Sequence, residues 1–153
     1  MRLIEREAYS YRGNDTVPAF EDRGPMVFMD GDCALCSRGA WIIAKLDHAG
    51  EFRICPIQST LGQSMLRHYG LDPQDPESWL CLIDGKAYTS LDAIIRTGRR
   101  LGGLGQVLRV LDILPRSVQD CLYRRIARNR YRILGRKNLC ELRGRDVKRR
   151  LLS

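Results

Sequence analysis

The 153-residue sequence predicts one α/β domain, with a β-α-β-α-β-β-α core followed by additional C-terminal helices. Three observations support this prediction. Short apolar runs alternate with segments of helical periodicity through the first two-thirds of the chain. An Asp-Gly pair joins two of these runs, which is the strongest short signal for a β-hairpin. Leucine and isoleucine then recur at helical spacing through much of the last third.

The first strand and the first helix flank a turn that contains two cysteines. The continuous apolar run MVFM, residues 26–29, is typical of a strand that is buried at the centre of a sheet. The turn DGDC follows it. A helix is predicted from Cys33 to about Leu46, with apolar residues at 35, 42, 43 and 46 and Gly50 as its stop.

The second strand and the second helix come next. FRICPI, residues 52–57, predicts a strand, and Pro56 indicates a strand end or the edge of the sheet. STLGQSMLRHYG then predicts a helix in which Thr60 and Gln63 form a capping box. One face of this helix is apolar and carries Leu61, Met65 and Tyr69.

A hairpin and a third helix complete the core. WLCLI and KAY form two short strands around the turn Asp84-Gly85. Ser90 is predicted to cap the helix, whose apolar face consists of Leu91, Ile94, Ile95 and Leu101. Two parallel strands joined by a helix, followed by an antiparallel hairpin and a helix, form a thioredoxin-like arrangement.

The chain divides into three predicted regions. Residues 1–25 are polar and weakly periodic, so they form an N-terminal extension. Residues 26–102 form the thioredoxin-like core. Residues 103–153 form a helical segment packed on the core, and it ends in a basic tail that we expect to pack loosely.

Two helices are predicted in the C-terminal segment. The first has an apolar stripe of Leu104, Leu108 and Leu111, and the second runs from about residue 116 to 134 after Pro115. The apolar face of the second helix contains Val118, Leu122, Ile126 and Ile133. We expect Ile126 and Ile133 to pack inward and most of the arginines to face solvent, namely Arg124, Arg125, Arg128 and Arg132.

Composition bears on the compartment and on the cysteines. No apolar run approaches the roughly 18 residues that cross a bilayer, and the charged N-terminus lacks the apolar region of a secretory signal. We therefore expect a cytoplasmic protein. Thiols stay reduced there, so the six cysteines do not predict a disulfide scaffold. Cys55 and Cys81 lie in apolar runs and are expected to be small core residues.

The net charge of +8 is concentrated in one part of the chain. Residues 1–95 hold nine Lys and Arg against fourteen Asp and Glu, whereas residues 96–153 hold seventeen against four. A basic surface of this kind suits nucleic acid, anionic lipid or an acidic protein. No nucleic-acid-binding motif accompanies it, so solvated helix faces are the favoured interpretation and nucleic-acid binding is not expected.

Cys33 and Cys36 form the one spaced cysteine pair. The helix start favours a thiolate, because unpaired backbone N–H groups and the helix dipole stabilise negative charge there. A second thiol one turn later can resolve the mixed disulfide formed by the first. Asp30 and Asp32 oppose this activation, because nearby carboxylates raise the pKa of a thiol. We expect Cys33 to be the more exposed cysteine, and the Cα atoms to lie within disulfide range.

Two alternatives for the pair remain open. A zinc site needs two more ligands, and neither a second Cys-x-x-Cys nor a suitably placed histidine is present. His48 and His68 are instead expected to be surface residues on helices. A purely structural pair is the other alternative.

The motif Asp30-Gly31-Asp32-Cys33-Ala34-Leu35-Cys36 resembles the opening motif of the DCC family, which is named for its Asp-x-x-Cys-x-x-Cys. The resemblance continues in PIQST, in DGKAYTSLDAI and in YRRIARNRYRILG, and covers about residues 26–150. It implies a thioredoxin-like fold, thiol-disulfide oxidoreductase activity, and roles for Cys33, Cys36 and Asp30. It implies no particular substrate. The position of the cis-proline of thioredoxins falls near Ser78, two residues after Pro76.

These observations favour a thiol-disulfide oxidoreductase with Cys33 as nucleophile and Cys36 as resolving thiol. No organic cofactor or metal is expected. The expected partners are a disulfide-containing protein or a small thiol as substrate, and an external thiol as reductant. Asp30 is expected to fix the cysteine loop by accepting backbone hydrogen bonds, with proton transfer as the alternative role. The competing function is a non-catalytic binding module that uses the basic helical face.

Overall fold

A computed structural model describes residues 6–74, 79–136 and 145–152. Its four strands are β1 (Met26–Met29), β2 (Arg53–Pro56), β3 (Leu80–Ile83) and β4 (Lys86–Thr89). They form one mixed sheet in the order β2-β1-β3-β4. β1 is parallel to β2 and antiparallel to β3, and β3 is antiparallel to β4. The predicted mixed α/β core is therefore confirmed.

The α-helices follow the predicted order except in the C-terminal segment, where the segment before Pro115 is not α-helical and the last α-helix falls in the predicted basic tail. They are α1 (Ala34–Leu46), α2 (Thr60–His68), α3 (Ser90–Leu101), α4 (Arg116–Leu134) and α5 (Arg145–Arg150). Two 3-10 helices add to them, Ser10–Gly13 in the extension and Gly103–Ile113 between α3 and α4. None of the helices in the described part of the chain is long and apolar enough to span a membrane.

β1 lies between β2 and β3 in the sheet, and both of its faces are covered. Met26 and Phe28 pack in one apolar cluster with α2 and the extension. Val27 and Met29 pack in the other cluster, with residues of α1, α3 and α5. This two-sided burial explains the uninterrupted apolar run, and β2 with Pro56 at its end occupies an edge, as predicted.

The hairpin is formed as predicted. Asp84 and Gly85 both have positive φ, 51° and 75°, as a two-residue turn of the favoured type requires. Cys81 pairs with Val27 on one side and with Tyr88 on the other, so β3 joins the hairpin to the central strand. Cys55 and Cys81 are fully buried core residues, as predicted.

Two predicted helix caps are displaced by one residue. Ser59, not Thr60, caps α2, and its hydroxyl accepts a hydrogen bond from the Gly62 N–H at 3.0 Å. Thr89, not Ser90, occupies the N-cap position of α3, and its side chain makes no capping hydrogen bond. The capping position requires extended backbone, which Ser59 and Thr89 adopt.

The extension packs more closely on the core than its polar sequence indicates. Tyr11 is buried and donates a hydrogen bond to Asp22, and the Tyr9 N–H donates to Gly85 O across 2.9 Å. His68 is buried instead of lying at the surface. The extension packs over it, and the two ring nitrogens form hydrogen bonds with Ser10 and Asn14. His48 is exposed, in the turn after α1.

The C-terminal segment departs most from the predictions. Residues 103–113 form a 3-10 helix in place of an α-helix, and its Leu104 is 77% exposed. Ile126 and Ile133 are 44% and 62% exposed, so the prediction that they pack inward is wrong. The arginines predicted to face solvent do so, while α4 buries Ala127 and Arg130.

The described part of the basic tail is not loosely packed. Val147 of α5 is buried, and Arg150 pairs with the buried Asp47 at 3.2 Å. Beyond α5, Leu151 forms a parallel bridge with Ile54, and the Leu152 N–H donates to Ile54 O at 2.9 Å. The tail thus follows the outer edge of β2. Residues 75–78, which include Pro76 and Ser78, lie outside the described part of the chain.

Two helical glycines give a matched test of this packing. A Cβ on Gly62 would lie 2.3 Å from Pro56 O and 2.7 Å from the Ile57 Cα, both backbone atoms, whereas a Cβ on Gly39 meets nothing within 4 Å. We expect Gly62→Ala to lower the free energy of unfolding by about 1–3 kcal/mol or more. Gly39→Ala should raise it by about 0.5–1 kcal/mol. Urea unfolding of the two variants checks this, and a Gly62→Ala variant as stable as the native chain would contradict the packing.

Candidate redox site

The two cysteines occupy the N-terminal turn of α1. Cys33 is the residue before the helix, with extended backbone (φ −95°, ψ 122°), and Cys36 is the third helical residue. The Ser37 N–H donates to Cys33 O at 2.9 Å, which closes the first turn. The sequence predicted this placement because the buried strand β1 must end before the turn and α1 must begin after it.

Cys33 is buried and Cys36 is half-buried, so the prediction that Cys33 is the more exposed cysteine is wrong. The residues that follow α4 cover Cys33. Arg136 forms an antiparallel bridge with Cys33, and the Ala34 N–H donates to Gly135 O at 3.4 Å. This cover comes from about 100 residues further along the chain, where the local pattern around Cys33 gives no signal of it.

The sulfurs of the pair have opposite electrostatic environments. The Cys36 thiol donates a hydrogen bond to the Cys33 sulfur, and the backbone N–H groups of Cys36 and Leu35 donate to it as well. Together with the positive charge of Arg130, they lower the pKa of Cys33 to about 6 although burial acts against the charged form. The same hydrogen bond, with burial, raises the pKa of Cys36 well above its ordinary value. These environments therefore favour the thiolate form of Cys33 and the protonated form of Cys36.

Asp30 is buried at the end of β1 and accepts hydrogen bonds on both oxygens. Its Oδ1 accepts from the backbone N–H of Asp32 at 2.9 Å and from the Gln58 amide at 2.6 Å. Its Oδ2 accepts from the Arg130 guanidinium at 2.6 Å and from the Tyr131 hydroxyl. These hydrogen bonds connect the turn before Cys33 to the residues that follow β2 and to α4.

The hydrogen bonds to Asp30 determine its charge. Burial alone would raise the pKa of this carboxyl, but the bonds from Tyr131, the Asp32 N–H and Gln58, together with the charge of Arg130, outweigh burial and lower it. Asp30 is therefore ionised at neutral pH, and it faces a buried cation. Its charge contributes to the raised pKa of Cys36, whereas Arg130 acts in the opposite direction on both thiols.

Arg130 is the main site residue that the sequence analysis missed. Its side chain is 7% exposed and pairs with Asp30. Among the atoms of the described residues, its buried Nε has no hydrogen-bond acceptor. One indication was available, because Gln58, Arg130 and Tyr131 all lie in PIQST and YRRIARNRYRILG, two of the segments that carry the resemblance noted above.

The remaining cysteines are chemically different from the pair. Burial raises the pKa of Cys55, and it raises that of Cys81 to about 12. Cys121 is exposed on α4. Within the described ranges, no cluster of three or more His, Cys, Asp or Glu side chains is placed to hold a metal ion.

Comparisons with known proteins point to one family. A family model described as DCC1-like thiol-disulfide oxidoreductase matches residues 27–136. The Bacillus subtilis (strain 168) protein YuxK is 35% identical over 127 residues, which cover 83% of this chain and 93% of that protein. The Arabidopsis thaliana DCC family protein At1g52590, chloroplastic, is 28% identical over 142 residues, which cover 92% and 83%. No solved structure matches. Because the family model spans most of its length and YuxK is 35% identical to it, the chain belongs to the DCC1-like thiol-disulfide oxidoreductase family.

Proposed function

We propose that the protein catalyses thiol-disulfide exchange through the Cys33–Cys36 couple. The observation that supports this most directly is the hydrogen-bonded pair at the N-terminus of α1, in which one thiol is acidified and the other is kept protonated. A nucleophile and a resolving thiol need these two opposite states. The substrate class is a disulfide-containing protein or a small disulfide, and the cytoplasm is the compartment that we propose.

The first step forms a mixed disulfide. The Cys33 thiolate attacks one sulfur of the substrate disulfide, the substrate S–S bond breaks, and the departing thiolate takes a proton from water. Because Cys33 is buried, its sulfur must become accessible before the attack.

The second step depends on the change of charge at Cys33. Once its sulfur is in the mixed disulfide, the hydrogen bond and the negative charge that raised the pKa of Cys36 are gone. Arg130 still favours the charged form of Cys36. Cys36 then loses its proton to water and attacks the Cys33 sulfur. The S–S bond between Cys33 and the substrate breaks, the departing substrate thiolate takes a proton from water, and the Cys33–Cys36 disulfide remains. Two equivalents of an external thiol then reduce this disulfide, leave as their own disulfide, and regenerate the dithiol.

Asp30 has a positioning role in this proposal. Its carboxylate accepts four hydrogen bonds in the described structure, and these hold the turn before Cys33 and the guanidinium of Arg130. A proton carrier needs a raised pKa, whereas the pKa of Asp30 is lowered. The structure therefore supports the first of the two roles expected from the sequence.

Serine variants test the assignment of the two thiols. Cys33→Ser should abolish turnover of oxidised glutathione, and Cys36→Ser should accumulate a mixed disulfide that mass spectrometry identifies on Cys33. Cys121→Ser removes an exposed thiol far from the pair in sequence and is the matched control, with turnover expected to be unchanged. A Cys33→Ser variant that retains turnover would refute the proposed nucleophile.

The pH dependence of Cys33 alkylation tests the thiolate. Because the thiolate is the reactive form, the rate at Cys33 should be half-maximal near pH 6 and fall about tenfold per pH unit below it. Arg130→Met should move this midpoint to higher pH, because the nearby cation is lost. Arg132→Met, which removes an exposed arginine of the same helix, should leave it in place. Iodoacetamide labelling followed by peptide mass spectrometry measures the rate, and a wild-type midpoint above pH 8 would contradict the acidified thiol.

A double-mutant cycle tests the Asp30–Arg130 pair. Asp30→Asn and Arg130→Met should each lower the free energy of unfolding by about 3–5 kcal/mol, because each leaves a buried charge without its partner. The double variant should lose clearly less than the sum of the two, because no unpaired charge remains. Urea unfolding provides the three values, and strictly additive losses would show that the pair is not coupled.

A further inference from the structure

An exposed row of aliphatic side chains runs along the C-terminal segment, and the exchange reaction does not use it. Each of its side chains is between 41% and 82% exposed. Exposed apolar surface of this extent is uncommon in soluble domains and marks an interaction site. We call these side chains the aliphatic face; they form one row on each element, Leu104, Val107, Val110 and Ile113 on the 3-10 helix and Val118, Leu122, Ile126 and Ile133 on α4.

The spacing of these residues places them in rows. In the 3-10 helix they recur every three residues, which is the period of that helix. In α4 they recur at intervals of four and seven, so they share one side of the helix. A neighbouring side of α4 holds the buried Ala127 and Arg130. The helix therefore has two contact surfaces, and only the inner one is occupied in the described structure.

Arginines flank the aliphatic face. A shallow, open part of the α4 surface is lined by Leu122, Ile126 and Ile133, together with Arg125, Asn129 and Arg132, and by no carboxylate. α4 contains six arginines and one aspartate, and of these arginines only Arg130 is buried. The apolar row on α4 therefore lies beside positively charged side chains.

We propose that the α4 row of the aliphatic face binds the surface of an anionic lipid bilayer. Aliphatic side chains that enter the boundary between headgroups and acyl chains, beside arginines at the level of the phosphates, are the pattern of helices that lie in a membrane interface. The row on α4 alone, from Val118 to Ile133, spans about 22 Å along the helix axis. Such binding is peripheral, in agreement with the absence of a spanning helix from the described residues.

Other occupants fit this surface less well. A second copy of the chain would place Arg125 and Arg132 against the same arginines or close to them, where like charges repel. Nucleic acid would leave the aliphatic row against phosphates, and the face lacks the aromatic side chains on which bases stack. A protein partner usually meets aromatic anchors, which are equally absent from the face.

Co-sedimentation of the full reduced chain with lipid vesicles tests the proposal. The chain should bind vesicles of equimolar phosphatidylcholine and phosphatidylglycerol at low salt, bind less as salt rises, and fail to bind phosphatidylcholine alone. Cys33→Ser should bind these vesicles as the native chain does. Vesicle binding and thiol-disulfide exchange can therefore fail independently of each other.

Matched variants locate the binding surface. Arg125→Gln with Arg132→Gln should weaken binding about 30-fold. Arg23→Gln with Arg67→Gln removes the same charge from exposed positions of the extension and α2, and should weaken it much less. Ile126→Ser should weaken binding about 10-fold or more. Ile42→Ser, at a residue of α1 with 47% exposure against 44% for Ile126, should leave it unchanged.

Three results would overturn the proposal. The first is no binding to the anionic vesicles at low salt, and the second is equal weakening by the test and control variants. The third is a chain that does not bind vesicles but forms a dimer or binds an acidic amphipathic peptide, when Ile126→Ser abolishes that association. That outcome would assign the face to a second copy or to a protein partner.

Discussion

The buried ion pair between Asp30 and Arg130 connects the parts of this fold that define the site. Asp30 is the first residue after the central strand, and Arg130 belongs to the last turns of α4, 100 residues further along the chain. A buried carboxylate and a buried guanidinium are each costly unless they meet, so the pair determines where α4 can lie. With α4 in that position, Gly135 and Arg136 reach the backbone of Cys33 and Ala34, and the guanidinium charge acts on both thiols.

A second pair of the same kind attaches the other C-terminal helix. Arg150 of α5 donates to the carboxylate and to the carbonyl of Asp47, which also accepts the Phe52 N–H before β2. In both cases an aspartate at the end of a core element accepts backbone hydrogen bonds and an arginine from the C-terminal segment. Buried arginines therefore contribute, together with apolar side chains such as Val147, to how this segment docks.

The sequence predicted the elements whose determinants are local. β1 was recognisable because it is apolar at every position, and the hairpin because Asp84-Gly85 suits its turn. The positions of Cys33 and Cys36 were predictable from the end of β1 and the start of the helix that follows it. Cys33 burial and the role of Arg130 were not predictable in this way, because both depend on one long-range contact. Within the charged sequence RRIARNRYR, nothing distinguishes Arg130 from the arginines that face solvent. Ile126 and Ile133 were assigned to the core on the rule that apolar side chains point inward, and α4 instead turns a polar and small-residue side to the core.

The contact between the chain's last described residues and β2 has a consequence for self-association. β2 is an edge strand, and an uncovered edge offers unpaired backbone N–H and C=O groups to any other strand that approaches. Leu151 and Leu152 lie against Ile54 on that edge, and Pro56 withholds a donor at its end. A nascent or partly unfolded chain in which α5 has not yet docked would present this edge bare, next to the apolar side chains of Ile54 and Cys55. Docking of α5 thus doubles as protection against intermolecular sheet formation, and the order in which the helices dock decides how long each new molecule is prone to aggregate.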